Sequence, residues 1–267
     1  MGGLSKKTFL KTIPAAVAGA LLGYTLAKTR AQPTPQQYIS KEKLDKLDTI
    51  IGTPLTADVI VKREGDEAVA VDMKTKQEIY KSTDHVLVFK KAVESTRSRG
   101  RIIGLGDFIF SDTLIISKHI LLEIYGKVTL DGATGFQIGD PSTEVYMSYL
   151  FVERIDGVDK TVNGIEIKNR NNNIVEFEDI LNCKYGIHIY PAGTSTNDNR
   201  VVGMVIKDCV EAVRLEADAE KYCEGNEIYV GFIGACNCGV RTTGSGSVKF
   251  NLFIGTIDNV AVEGSYD

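Results

Sequence analysis

The sequence predicts an all-β fold, a right-handed parallel β-helix or solenoid, on three observations. The first is a repeat. Gly135-Phe136-Gln137-Ile138, Gly164-Ile165-Glu166-Ile167, Gly186-Ile187-His188-Ile189, Ala212-Val213-Arg214-Leu215 and Gly239-Val240-Arg241-Thr242 share one pattern at steps of 29, 22, 26 and 27 residues. The second is that other residues keep the same beat: Cys183, Cys209 and Cys236; Ile180, Ile206 and Ile233; Asn173, Asn199, Asn226 and Asn251. The third is the texture of the repeats, short β-branched runs between Asn and Gly turns, with neither a dense leucine signature nor helix-length apolar periods. A single coil cannot bury its own inner face, so coils stack, and like side chains pile into ladders about 4.8 Å apart.

The elements before the repeats follow in order. Lys6, Lys7 and Lys11 precede an apolar stretch from Ile13 to Ala27, shorter than the roughly 20 residues a spanning helix needs. Thr29-Arg30-Ala31 then offers a small-residue cleavage site. Residues 1–31 therefore read as a signal peptide, with an uncleaved N-terminal membrane anchor as the alternative. Ser5 to Lys11 resembles the twin-arginine export motif, with lysines in place of its two arginines. The expected location is extracellular or at the cell surface. Residues 32–56 hold a linker with Pro33 and Pro35, then a short helical pattern capped by Ser40, with Leu44, Leu47, Ile50 and Ile51 at helix spacing. That helix reads as packed on the rod or as a trimerising neck, which leaves a homotrimer open. Residues 57–82 alternate between strand-like runs and turns and predict a small antiparallel meander. Ser82-Thr83-Asp84 then opens a helix whose apolar side carries Val86, Leu87, Phe89 and Val93. It opens the predicted rod, which covers residues 83–267.

From residue 83 to about 130 the sequence resembles the opening of pectate-lyase-superfamily and phage-tailspike-like β-helix proteins. The matching pieces are a capped amphipathic helix at 83–96, a Gly-bounded strand at 101–105, and strands at 106–110, 111–116 and 121–126. The resemblance implies that the helix caps the open end of the rod, and that the partner is a polysaccharide, bound or cleaved. The catalytic signatures of polygalacturonase-like members are absent: Gly186-Ile187-His188 is not their Gly-His-Gly. Nor is there the aspartate cluster that calcium-dependent pectate lyases use. No cofactor is read, and calcium enters only if the chain is a lyase.

Composition narrows the partners. With 31 basic and 35 acidic residues the net charge is −4, and no basic patch with interleaved aromatics occurs, so nucleic acid has no electrostatic case. Five cysteines are an odd number; three follow the repeat and read as small buried apolar residues, not as a disulfide framework. Cys236 and Cys238, lacking a partner pair, do not make a zinc site, and no other metal-ligand spacing stands out.

In each Gly-Ile-x-Ile strand the apolar residues point inward, so the third points outward. Gln137, Glu166, His188, Arg214 and Arg241 thus fall in one outward column on successive coils. Guanidiniums can clamp the carboxylate of an acidic sugar, which makes Gln137, Arg214 and Arg241 candidate substrate-binding residues. Glu166 and His188 are candidate catalytic residues able to move protons. A solvated face of mutually paired charges is the competing reading. Glu176 and Glu178 are further catalytic candidates. With Val175 and Phe177 inward, the two glutamates project outward about 6.6 Å apart, near the separation inverting glycosidases leave for a water. Three functions follow: a polysaccharide-recognising adhesin or tailspike-like module, a lyase or glycoside hydrolase on an acidic polysaccharide, or a structural surface rod.

Overall fold

The computed structural model divides the chain into two units, residues 1–55 and 56–267, and describes residues 57–139, 147–168, 171–192, 195–249 and 251–258. The expected signal peptide or anchor, the expected linker and the helix expected near 40–52 lie outside the described residues. The second unit is a parallel β-solenoid of about 5 turns, mostly strand, with a single helix near its N-terminal region.

The expected meander is there. β1 (Val59–Glu64), β2 (Glu67–Asp72) and β3 (Glu78–Ser82) pair antiparallel. β1 also pairs in parallel with β4 (Arg101–Leu105), which makes the meander an extension of the rod's largest sheet. That sheet continues from β4 through β7 (Leu121–Leu130), β9 (Tyr149–Asp156), β11 (Ile174–Leu181), β14 (Arg200–Lys207), β17 (Glu227–Gly234) and β20 (Leu252–Asp258). β5 (Phe108–Phe110) pairs with the second half of β7. A smaller sheet stacks β6 (Leu114–Ile116), β8 (Phe136–Ile138), β10 (Ile165–Lys168), β12 (Tyr185–Tyr190), β15 (Glu211–Ala217) and β18 (Cys238–Gly244). A third holds β13 (Thr196–Asn197), β16 (Tyr222–Glu224) and β19 (Ser247–Lys249).

Helix α1 (His85–Ser95) begins where the sequence places it, with the Asp84 carboxylate accepting the Leu87 N–H at 3.1 Å. Its buried face is His85, Val86, Val88, Phe89, Ala92 and Val93. Leu87, expected on that face, is only half-buried; Val88 takes its place, because 85, 88, 89 and 92 form one helical stripe. Phe89 meets Phe108 and Phe110 at ring-centroid distances of 4.9 and 5.5 Å, and Phe110 meets Phe136 at 5.4 Å. The helix thereby covers apolar surface at the start of the solenoid. Lys118 closes its other end by donating to the carbonyls of Val93 and Glu94 at 2.9 and 2.8 Å.

Inside the rod the repeats become ladders. Ile180, Ile206 and Ile233 are fully buried on successive strands of the large sheet. The five cysteines are buried and free. Cys183, Cys209 and Cys236 each donate to the carbonyl two residues back, those of Leu181, Lys207 and Gly234. Interaction with the neighbouring Cys183 sulfur, together with burial, pushes the Cys209 thiol up to about 12, and burial, with the Glu224 charge adding to it, pushes Cys223 up to about 12. Cys209 and Cys223 are thus core thiols with no thiolate character at neutral pH.

The asparagine ladder is the most regular. The side-chain amide of Asn173 donates to Asn199 at 2.9 Å, Asn199 to Asn226 at 2.9 Å, and Asn226 to Asn251 at 2.8 Å. Each of these acceptor oxygens also takes the backbone N–H of the preceding asparagine, at 3.1, 3.2 and 3.0 Å. Asn173, Asn199 and Asn226 are completely buried. One residue type, repeated, satisfies its own side chain and the turn backbone together.

Candidate functional site

The predicted column exists in register. Gln137 pairs with Glu166, Glu166 with His188, His188 with Arg214 and Arg214 with Arg241 along the smaller sheet. The flanking apolar residues Phe136, Ile138, Ile165, Ile167, Ile187, Ile189, Val213 and Leu215 are buried, so the column faces outward from a packed wall. Glycine at 164 and 186 has a steric reason: a Cβ at Gly164 would lie 2.7 Å from the Gly186 carbonyl oxygen, and one at Gly186 2.7 Å from that of Ala212.

What the sequence did not reveal is the company the column keeps. Two further outward rows border it, one with Asn163, Tyr185 and Glu211, the other with Lys168, Tyr190 and Glu216. Glu166 accepts from Asn163 at 2.6 Å and pairs with Lys168 at 2.8 Å, and Lys168 also reaches Gln137 at 2.8 Å. Glu216 receives His188 Nε2 at 3.2 Å and Arg214 Nε at 3.1 Å. Glu211 lies 3.6 Å from Arg214 and 3.2 Å from Arg241, and Arg214 also donates to the Tyr185 hydroxyl at 2.9 Å. The charged groups Glu166, Glu211 and Glu216 balance Lys168, Arg214 and Arg241. The guanidiniums thus already hold the carboxylates of Glu211 and Glu216, with which any anion would have to compete.

His188 stands at the centre. It stacks on Tyr190 at 4.2 Å with 23° between the rings, and meets Tyr185 edge-on at 5.0 Å. Its side chain is 10% exposed. Burial pushes the imidazole below its usual range, against the pull of Glu166 and Glu216, so it is neutral at pH 7. Because Glu216 can only accept, Nε2 carries the proton and Nδ1 the lone pair. Nδ1 is buried without a hydrogen-bond partner, 4.0 Å from a Glu166 oxygen.

The other candidate pair is separated by environment. Val175 and Phe177 are buried as expected, but Ile180 is also fully buried, so the alternation breaks between 177 and 180. Glu176 accepts the Tyr149 hydroxyl at 2.8 Å. Glu178 lies on the rung next to Glu153, since Phe177 pairs with Val152 and Asp179 with Arg154. Burial, then Glu153, pushes the Glu178 carboxyl up. Burial does the same to Glu153. Arg154 is committed to Asp179 by two bonds of 3.0 and 2.6 Å.

Among the described residues no three His, Cys, Asp or Glu side chains converge to hold a metal ion. Fold and site together define a class, a parallel β-solenoid carrying a charge-balanced polar column on its smaller sheet. No protein-family model, curated protein or solved structure matches the chain.

Proposed function

We propose that the chain is an exported glycan-recognition rod of the pectate-lyase and tailspike kind, and that a polysaccharide lies along the smaller sheet. The observation that carries this is the in-register column of Gln137, Glu166, His188, Arg214 and Arg241, bordered by Tyr185 and Tyr190. Five rungs about 4.8 Å apart cover about 19 Å, with a rung spacing close to one sugar unit of an extended chain. Ionised planar side chains offer paired donors and acceptors to vicinal hydroxyls, and tyrosine rings offer an apolar face with a polar tip. Because partners on the protein already orient these groups, little side-chain entropy is lost on binding. Arg241, whose side chain is 36% exposed, is the readiest contact for a sugar carboxylate.

Calorimetric titration of the full chain with acidic and neutral polysaccharides tests the proposal. Binding to at least one, weakened about tenfold by Arg241→Ala or Tyr190→Ala, is the expected result. Binding that neither variant alters would move the ligand off this face; no binding at all would favour a structural rod.

One feature favours catalysis as the second reading. A neutral His188 with a free lone pair on Nδ1 has the makings of a general base beside Glu166. Following reducing ends and ultraviolet absorbance in the same mixtures decides this. Unsaturated product that disappears in His188→Gln makes the chain a lyase, reducing ends alone a hydrolase, and silence with intact binding a recognition module.

A further inference from the structure

A second site stands apart from the polar column, at the start of the large sheet. Ala57, Asp58, Arg97, Arg99, Arg101 and Leu121 line a cleft of about 460 Å³. Three arginines at alternate positions enter it from the turn after α1 and the first residue of β4, in a chain whose net charge is −4. Two of the cleft's groups are fixed. Asp58 accepts the Arg101 N–H at 2.8 Å, and the Arg101 side chain forks onto Glu123 at 3.0 and 2.8 Å. The other two arginines are held less firmly. Arg97 touches Asp58 only at 3.3 Å and its side chain is 80% exposed. The Arg99 guanidinium has no partner among the described residues, while its backbone is held in a left-handed turn (φ 63°) by an N–H bond to the His119 carbonyl.

We propose that this cleft binds an oxyanion, the carboxylate or sulfate group of an acidic ligand, between the guanidiniums of Arg97 and Arg99. The planar fork of arginine matches both geometries through paired N–H donors. Glu123 offsets Arg101 and Asp58 offsets Arg97 in part, which leaves one positive charge, that of Arg99, as the surplus that an anion neutralises. An anion here also fills the space between the meander and the turn after the helix. The site shares no residue with the column on the smaller sheet, so it stands or falls independently of it.

The test is calorimetric titration of the full chain at low ionic strength with sodium sulfate, and separately with a uronate and a sulfated oligosaccharide. Wild type is expected to bind, and Arg97→Ala and Arg99→Gly to weaken binding about tenfold or more, as loss of a charge-assisted bond requires. Lys74→Ala, on an exposed turn, is expected to match wild type. Glycine suits the left-handed turn at 99, and if that variant still fails to fold, Arg97→Ala decides alone. Stronger binding of either oligosaccharide than of sulfate identifies a glycan as the source of the oxyanion. Sulfate alone identifies a free anion. Absence of binding to all three, or equal binding by wild type and both arginine variants, overturns the proposal.

Discussion

Two vertical columns run through this rod under the same stacking rule and solve it in opposite ways. The asparagine ladder repeats one residue at 173, 199, 226 and 251, each amide donating to the next. The outward column of Gln137, Glu166, His188, Arg214 and Arg241 changes residue at every step but the last, where two arginines meet. A carboxamide is both donor and acceptor, so identical copies satisfy one another indefinitely. A carboxylate only accepts and a guanidinium only donates, so a column of either repels itself. The outward column must therefore alternate or borrow, and it borrows Lys168, Glu211 and Glu216 from the rows beside it. Inside, sameness gives stability; outside, difference gives a surface with chemical detail.

Breaking the ladder is expected to cost most. Asn199→Ala strands the Asn173 N–H and amide in a dry interior and takes one of two donors from the Asn226 oxygen, and should lower unfolding stability by about 3 kcal/mol. Urea denaturation checks this, and a loss below about 1 kcal/mol would erase the contrast between the columns. Arg214→Ala comes next. It removes one partner each from Glu211, which is nearly buried, and Glu216, and should cost about 2 kcal/mol in the same measurement, because Arg241 and His188 still hold the two carboxylates.

The third prediction concerns pH. The His188 pKa is lower in the folded state than unfolded, so the unfolded chain binds more protons as pH falls below about 6.5. Stability from this residue is present above that pH and is lost on acidification through the folded value. Unfolding curves between pH 7 and 5 should be steeper for wild type than for His188→Gln; parallel curves would mean the imidazole is not held neutral. Smallest is Glu178→Gln on the large sheet. Its carboxyl is pushed up by burial and by Glu153 beside it, so ionising it at neutral pH costs more in the folded state than in the unfolded chain. The variant should melt higher by about 2 °C at pH 7, with the gain vanishing near pH 4.

The contrast also explains what could be read from the residues. The ladders were legible because repetition is their mechanism: equal spacing of Asn, Cys and Ile is itself the signal. The outward column was legible in register, since Gly-Ile-x-Ile marks its place on each coil. Its partners were not. Tyr190 and Glu216 share no residue type with Lys168, so only the alternation of strands links them, and the coils between them differ in length. The Glu176–Glu178 pair was read from that alternation, which holds from Ile174 to Glu178 and breaks only beyond it, where Glu178 and Asp179 both lie half-buried before Ile180 turns inward. The continuation of β7 past Gly126 was missed for a related reason. Gly126 reads as a strand end, yet at φ 136° it marks an irregularity, between Ile124 and Lys127, within a strand that runs on to Leu130 and pairs with both β4 and β5. The arginine cleft had no repeat to announce it, because residues 97, 99 and 101 meet Asp58 only through the pairing of β1 with β4.

The ladder of identical amides also makes length a modular quantity. Excising residues 173–198 would remove one full period of 26 residues and present the Asn199 oxygen to the Ser148 N–H, which Asn173 now serves at 3.0 Å. The seam would be chemically the same as before, and the rod shorter by about 4.8 Å. The outward column would fare differently, losing His188 and bringing Glu166 next to Arg214. Whole coils can therefore be removed at this seam with the asparagine ladder kept whole, while each removal changes which charged side chains meet on the smaller sheet.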